Sequence, residues 1–161
     1  MTRAVPSVRP RTPHPRASDA RSGFPSRKVT AIASRPRLVV VDDSPEFLAL
    51  VRDLVADRAS VECFDSPDTL VDDVARVAPD MIMIDLKLDG AGRGWDLLRE
   101  CRADPRLAGL TFVICSADVY GIEEHQPEIS SMTDVHVLRK PFDIAEFEDA
   151  IAPVLDRMTA A

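Results

Sequence analysis

Arg37-Leu38-Val39-Val40-Val41-Asp42-Asp43-Ser44-Pro45 is the stretch whose reading decides the fold. Four apolar residues, three of them β-branched, are too few for a helix and suit a strand buried on both faces. Two acids end the run, and Ser-Pro then supplies a helix N-cap and a first-turn proline. The same form recurs downstream. MIMI (81–84) ends in Asp85, FVIC (112–115) ends in Ser116, and VHVL (135–138) runs into Lys140-Pro141. Strands are therefore expected at 37–42, 60–64, 80–85, 110–115 and 134–139.

Helical patterns fill the intervals. After Ser44-Pro45, the residues Phe47, Leu50, Val51, Leu54 and Val55 share one face. Ser66-Pro67 repeats the cap before Leu70, Val71, Val74 and Val77, and Trp95, Leu98 and Cys101 mark a third helix over 94–103. Residues 118–130 contain Gly121 and Pro127 and have poor periodicity, so the fourth helix is expected to be short or irregular. Asp143 caps the last helix, with Glu146 three residues on and Phe147, Ile151, Val154 and Leu155 facing inward. Five such strand–helix units predict an α/β, doubly wound, flavodoxin-like parallel sheet of five strands in order 2-1-3-4-5.

Composition separates two segments. Residues 1–37 hold nine Arg or Lys against one acid, Asp19, while the remainder holds eleven basic and 26 acidic residues. Six of the thirteen prolines lie at or before Pro36. That composition predicts a disordered basic tail over 1–36 and one folded domain over 37–158. The tail is expected to be dispensable for folding; only it could approach nucleic acid, because the acidic domain would repel phosphate backbones. No apolar run approaches the length of a membrane span, and the start lacks the apolar core of a secretory signal. Cys63, Cys101 and Cys115 lie in apolar contexts without metal-ligand spacing, as expected of small core residues in a cytoplasmic protein.

In an open parallel sheet the carboxyl ends of the strands face one crevice. Asp42, Asp43, Asp85, Ser116 and Lys140 would meet there. Acids so placed can hold a divalent metal, one acid can accept a phosphoryl group, and a lysine and a hydroxyl can bind its oxygens. Each acid alone could equally be a helix cap; the ordered set of five is harder to explain that way.

This set resembles the receiver domain of two-component response regulators, of the stand-alone type, over about 120 residues from Arg37 to about Arg157. The resemblance implies that Asp85 is the phosphoryl acceptor and that Asp43 ligates Mg²⁺ directly, with Asp42 supporting the metal through water. It implies that Lys87 gives its backbone carbonyl to the same ion and that Ser116 and Lys140 bind phosphoryl oxygens. Lys140-Pro141 matches the family's Lys-Pro, usually joined by a cis bond. The implied partners are a histidine kinase or a histidine phosphotransfer protein as donor and a downstream protein target, contacted through the fourth helix, fifth strand and fifth helix. Nothing in the sequence after the fifth helix would form a DNA-binding output domain.

The chain also departs from the family pattern. Asp89 stands where many receivers have proline, and Gly90-Ala91-Gly92-Arg93-Gly94 reads as a flexible loop beside the acceptor rather than a nucleotide-binding motif. Val137 replaces the Tyr or Phe whose ring usually moves on phosphorylation. Lys87 and Asp118 fill the two variable positions that flank the phosphoryl group, and their opposite charges could pair across the pocket mouth. The expected role is to accept a phosphoryl group and switch partner binding, not enzymatic turnover of a separate substrate. Two rivals share the fold: a phosphate sink or relay shuttle, and a binding module independent of phosphorylation.

Overall fold

The computed structural model describes residues 35–66, 68–90 and 92–159. Residues 1–34 of the predicted tail lie outside the described residues, whereas Pro36 already belongs to the domain, its carbonyl accepting the Ser60 amide at 2.9 Å. Strands β1 (Arg37–Val41), β2 (Ser60–Phe64), β3 (Met81–Ile84), β4 (Thr111–Ser116) and β5 (Val135–Arg139) form one parallel sheet in the order β2-β1-β3-β4-β5. Helices α1 (Pro45–Val55), α2 (Val71–Val77), α3 (Arg93–Ala103), α4 (Val119–Glu124), α5 (Gln126–Ser130) and α6 (Ile144–Thr159) connect or follow them.

Alternate strand residues point to opposite faces of a sheet, and the buried clusters divide accordingly. Leu38, Val40, Met81, Met83, Val113 and Cys115 pack with Val51 and Val55 of α1 and Phe147 and Ile151 of α6. Val39, Val41, Ile82, Ile84, Phe112 and Ile114 pack with Val74 of α2, Leu97 and Leu98 of α3, Ile122 of α4 and Ile129 of α5. Cys101 and Cys115 fall in these two cores, one in each, where burial pushes both thiols up to about 12. They stay protonated and unreactive, as small core residues should.

Two helices begin or run differently from their sequence patterns. Ser66 does not cap α2: its Oγ accepts the Asp68 amide at 3.1 Å and its carbonyl accepts the Thr69 amide at 3.2 Å, which builds a turn. The helix starts four residues later, where the Asp73 carboxylate accepts the Leu70 amide at 3.2 Å, and Leu70 is left 54 % exposed. Leucine has no side-chain acceptor, so only that half of a capping box exists. The expected irregular fourth helix is two short ones. His125 is the boundary, and Pro127, which needs no amide partner, sits in the first turn of α5. At α6 the expected box is complete, with Asp143 and Glu146 exchanging two bonds of 2.8 Å.

The sheet ladder runs one step past the strand ends on the side that carries the site. Asp85 N donates to Val41 O at 2.9 Å, Asp42 N to Phe64 O at 3.0 Å and Lys140 N to Ser116 O at 3.0 Å. Main-chain bonds thus fix the first residue after three strands before any side-chain contact is counted.

Candidate functional site

The five predicted residues do converge. Ser116 Oγ donates to Asp85 Oδ1 at 2.7 Å, and the Lys87 amide donates to the same oxygen at 3.0 Å. Lys140 Nζ reaches Asp85 Oδ2 at 3.0 Å and also binds Asp42 Oδ2. Asp42 and Ser116 are each 1 % exposed, and Asp85 is buried at the bottom of an open cleft of ≈ 430 Å³ between Lys87 and residues 116–120. Asp43 stands exposed beside them. The Lys140-Pro141 bond is cis.

The electrostatics follow from burial. Burial drives the Asp42 carboxyl above the usual carboxylate range, opposed by Lys140 and by the Ser44 amide at 3.0 Å. Burial also works against the charge on Lys140. The hydrogen bonds and charges of Asp42 and Asp85 outweigh it, so the lysine's pKa lies above its ordinary value and the group remains an ammonium.

Asp42, Asp43 and Asp85 each offer an oxygen within 4.8 Å of the others. Three carboxylates against one ammonium leave an excess of negative charge, and the donors are hard oxygens, which is the chemistry a small divalent ion such as Mg²⁺ takes. The donor set fits that ion. Both Asp42 oxygens are already engaged, one by Ser44 and one by Lys140, which suits support through water rather than direct ligation. The Lys87 carbonyl accepts the Gly90 amide at 3.2 Å and retains its second lone pair.

Lys87 and Asp118 both line the cleft but do not pair. Asp118 caps α4, its Oδ1 accepting the Gly121 amide at 3.1 Å. A helix's first amides have no intrahelical acceptors, and this local partner claims the carboxylate ahead of a flexible lysine across the cleft. Val137 lies outside the acidic cluster, 36 % exposed, in a second groove with His136, Arg139 and Glu146.

Four contributors escaped the sequence pattern. Phe47 reads as an ordinary core position of α1, yet its ring lies 4.0 Å under Lys140 Nζ and restrains the ammonium. Phe142 packs edge-on against it at 6.0 Å. Within the glycine string, Gly90 and Gly92 adopt φ of +79° and +76°, and Gly94 brings α3 against the main chain of Asp85. A Cβ on Gly94 would lie 1.7 Å from the Asp85 carbonyl oxygen. Gly121 is the fourth, because its amide holds Asp118. Glycine content hinted at Gly94; nothing local marked Phe47.

The profile of the response regulator receiver domain family matches residues 38–152. A search of curated proteins finds no match. Among solved structures, a sensor protein from Polaromonas sp. JS666 is 26% identical, with a TM-score of 0.63, over 78% of this chain and 99% of that one. Chemotaxis protein CheY4 of Vibrio cholerae is 16% identical, with a TM-score of 0.64, over 75% and 99%. The receiver domain of sensor histidine kinase PA1611 from Pseudomonas aeruginosa PAO1, with a magnesium ion coordinated in its active site cleft, is 20% identical, with a TM-score of 0.62, over 80% and 100%. Among the described residues no helix is long and apolar enough to cross a membrane. With its parallel sheet, its acid-lined cleft and a profile match over most of its length, the chain belongs to the response regulator receiver domain family, the receiver module of two-component signalling.

Proposed function

We propose that Asp85 accepts a phosphoryl group from a phosphohistidine of a histidine kinase or histidine phosphotransfer protein, and that this changes which protein the domain binds. The observation that carries this reading is the coordination of the Asp85 carboxylate by Ser116, Lys140 and the Lys87 amide. One carboxylate oxygen attacks phosphorus, the P–N bond to the donor imidazole breaks, and the imidazole leaves as the acyl phosphate forms. Lys140 and Ser116 now donate to the acceptor itself; transferred to the phosphoryl oxygens, the same two donors would bind the product. An anionic nucleophile meets an anionic group only when cations screen both. Lys140 is the fixed cation; bound Mg²⁺, held by Asp43 and the Lys87 carbonyl with Asp85 and supported by Asp42, supplies the further positive charge.

Incubation with acetyl phosphate and Mg²⁺ tests this by intact mass. One phosphoryl group should be added, and EDTA should prevent it. No addition under any metal condition would leave the binding-module reading. Val137 in place of the aromatic favours a second role, as phosphate sink or shuttle, which a very short phosphoryl lifetime would identify.

Two predictions concern the groups around the acceptor. Mg²⁺ affinity, measured by calorimetry, should fall at least tenfold in Asp43→Ala and by less in Asp42→Ala, as water-mediated support implies, on the order of the loss when a metal's supporting shell is disturbed. Equal or absent losses would contradict the assignment. Because Lys87 and Asp118 do not touch, their effects on dephosphorylation should be additive in the double alanine variant. Asp118→Ala should also destabilise the domain by about 1 kcal/mol through the lost cap, while Lys87→Ala leaves the melting temperature unchanged. A strongly non-additive pair would show that they meet in the phosphorylated state.

A further inference from the structure

Helix α4 has six residues, too few to hold itself in place, so its position depends on how its ends are tied. Its head is tied to the acceptor. The Asp118 amide donates to Ser116 Oγ at 3.3 Å, Ser116 donates to Asp85, and the Asp118 carboxylate takes the Gly121 amide. Its tail is tied to α3. His125 Nδ1 lies 2.9 Å from Gly121 O, which can only accept, so that nitrogen carries the proton. The imidazole lies against Trp95 with ring centroids 4.1 Å apart, and Arg99 covers the same indole at 5.1 Å while gripping Glu128 of α5 through two bonds of 3.1 and 2.7 Å.

Both ties meet at one residue. Gly121 gives its N–H to the head and its carbonyl to the tail, and a Cβ there would stand 2.6 Å from Asp118 Oδ2. The arrangement also carries an unmet demand. Trp95 Nε1 is the one buried side-chain nitrogen or oxygen among the described residues without a hydrogen-bond partner. An orphaned buried donor disfavours the state that contains it, so a displaced α4 that let water reach the indole would be offset in part by that bond.

We propose that His125 and Trp95 are positioning residues for the Ser116 hydroxyl, acting through Gly121 and Asp118, so that the contact of His125 with Trp95 is coupled to the acceptor. This rests on the reading of Asp85 as acceptor. When a phosphoryl group draws the Ser116 hydroxyl, it draws the Asp118 amide and the cap with it, and the latch on Trp95 loosens. Coupling between two sites is reciprocal at equilibrium. If the acceptor loosens the latch, loosening the latch must alter affinity at the acceptor.

Beryllofluoride with Mg²⁺, a non-hydrolysing stand-in for the phosphoryl group, makes both directions measurable. Trp95 is the only tryptophan, so saturating beryllofluoride should change the emission of the full chain, and Asp85→Asn should remove the change. His125→Ala should shift the apparent beryllofluoride affinity by about fivefold or more. His125→Phe keeps a ring on Trp95, and so guards against a folding defect, but cannot hold Gly121 O; it should shift affinity like alanine. A phenylalanine variant with wild-type affinity would overturn the route through Gly121. Emission unchanged in a protein that does take a phosphoryl group from acetyl phosphate would overturn the latch and leave the receiver reading intact. Failure of the wild type to take that group would instead strike the reading itself.

Discussion

Asp85→Asn should take up no phosphoryl group from acetyl phosphate and Mg²⁺ under conditions where the wild type should take up one. The amide has the carboxylate's shape but no anionic oxygen to attack phosphorus. Its carbonyl can still accept from Ser116 and from the Lys87 amide, which now converge on Asp85 Oδ1. Lys140 keeps Asp42. The pocket therefore survives the substitution, and the loss is chemical rather than structural: far-UV circular dichroism should match the wild type. Intact mass reads the incorporation. Residual phosphorylation of the variant would place the acceptor elsewhere.

Gly94→Ala should be the most damaging single methyl in the domain's site. The added Cβ would meet the Asp85 carbonyl oxygen at 1.7 Å, its carbon at 2.7 Å and Leu86 Cα at 2.8 Å. All three are main-chain atoms immediately after β3, so no flexible side chain can yield. The start of α3 must withdraw, and Trp95, Leu97 and Leu98 lose packing with it. Overpacking against fixed atoms of this kind costs about 3 kcal/mol or more, read by denaturant unfolding. Phosphorylation should fall with it, because the clash displaces the residue that carries the acceptor. Gly92→Ala is the control. It has open space for a Cβ but a φ of +76°, so it should cost only the roughly 1–2 kcal/mol of a left-handed alanine. Similar losses in the two variants would mean that α3 yields to the added Cβ at little cost, and that the close approach does not make glycine necessary at 94.

The contrast between these positions explains what a single sequence discloses. Asp42, Asp85, Ser116 and Lys140 were legible because each lies within two residues of the end of a short apolar run. A parallel sheet brings those ends to one edge whatever the details of packing. Helix α6 was legible for a similar reason, since Asp143 and Glu146 satisfy each other within one turn. Gly94 and Phe47 were not, because their roles depend on which main chain or which ammonium another element brings against them. Asp118 shows the limit most plainly. Charge alone suggested Lys87 as its partner, but an unsatisfied helix amide three residues away is nearer and cannot move off. Ser66 misled in the opposite sense: its hydroxyl meets an amide two residues on, as in a cap, but the chain turns before the helix begins.

The identity of the modified atom tests the account most directly. After reaction with acetyl phosphate and Mg²⁺, borohydride reduces an acyl phosphate to the alcohol, leaving homoserine where the aspartate stood. Tandem mass spectrometry of a digest should find homoserine at position 85 and at no other acid. Homoserine at Asp42 or Asp43, or a phosphoryl group that resists borohydride on a hydroxyl or imidazole, would contradict it.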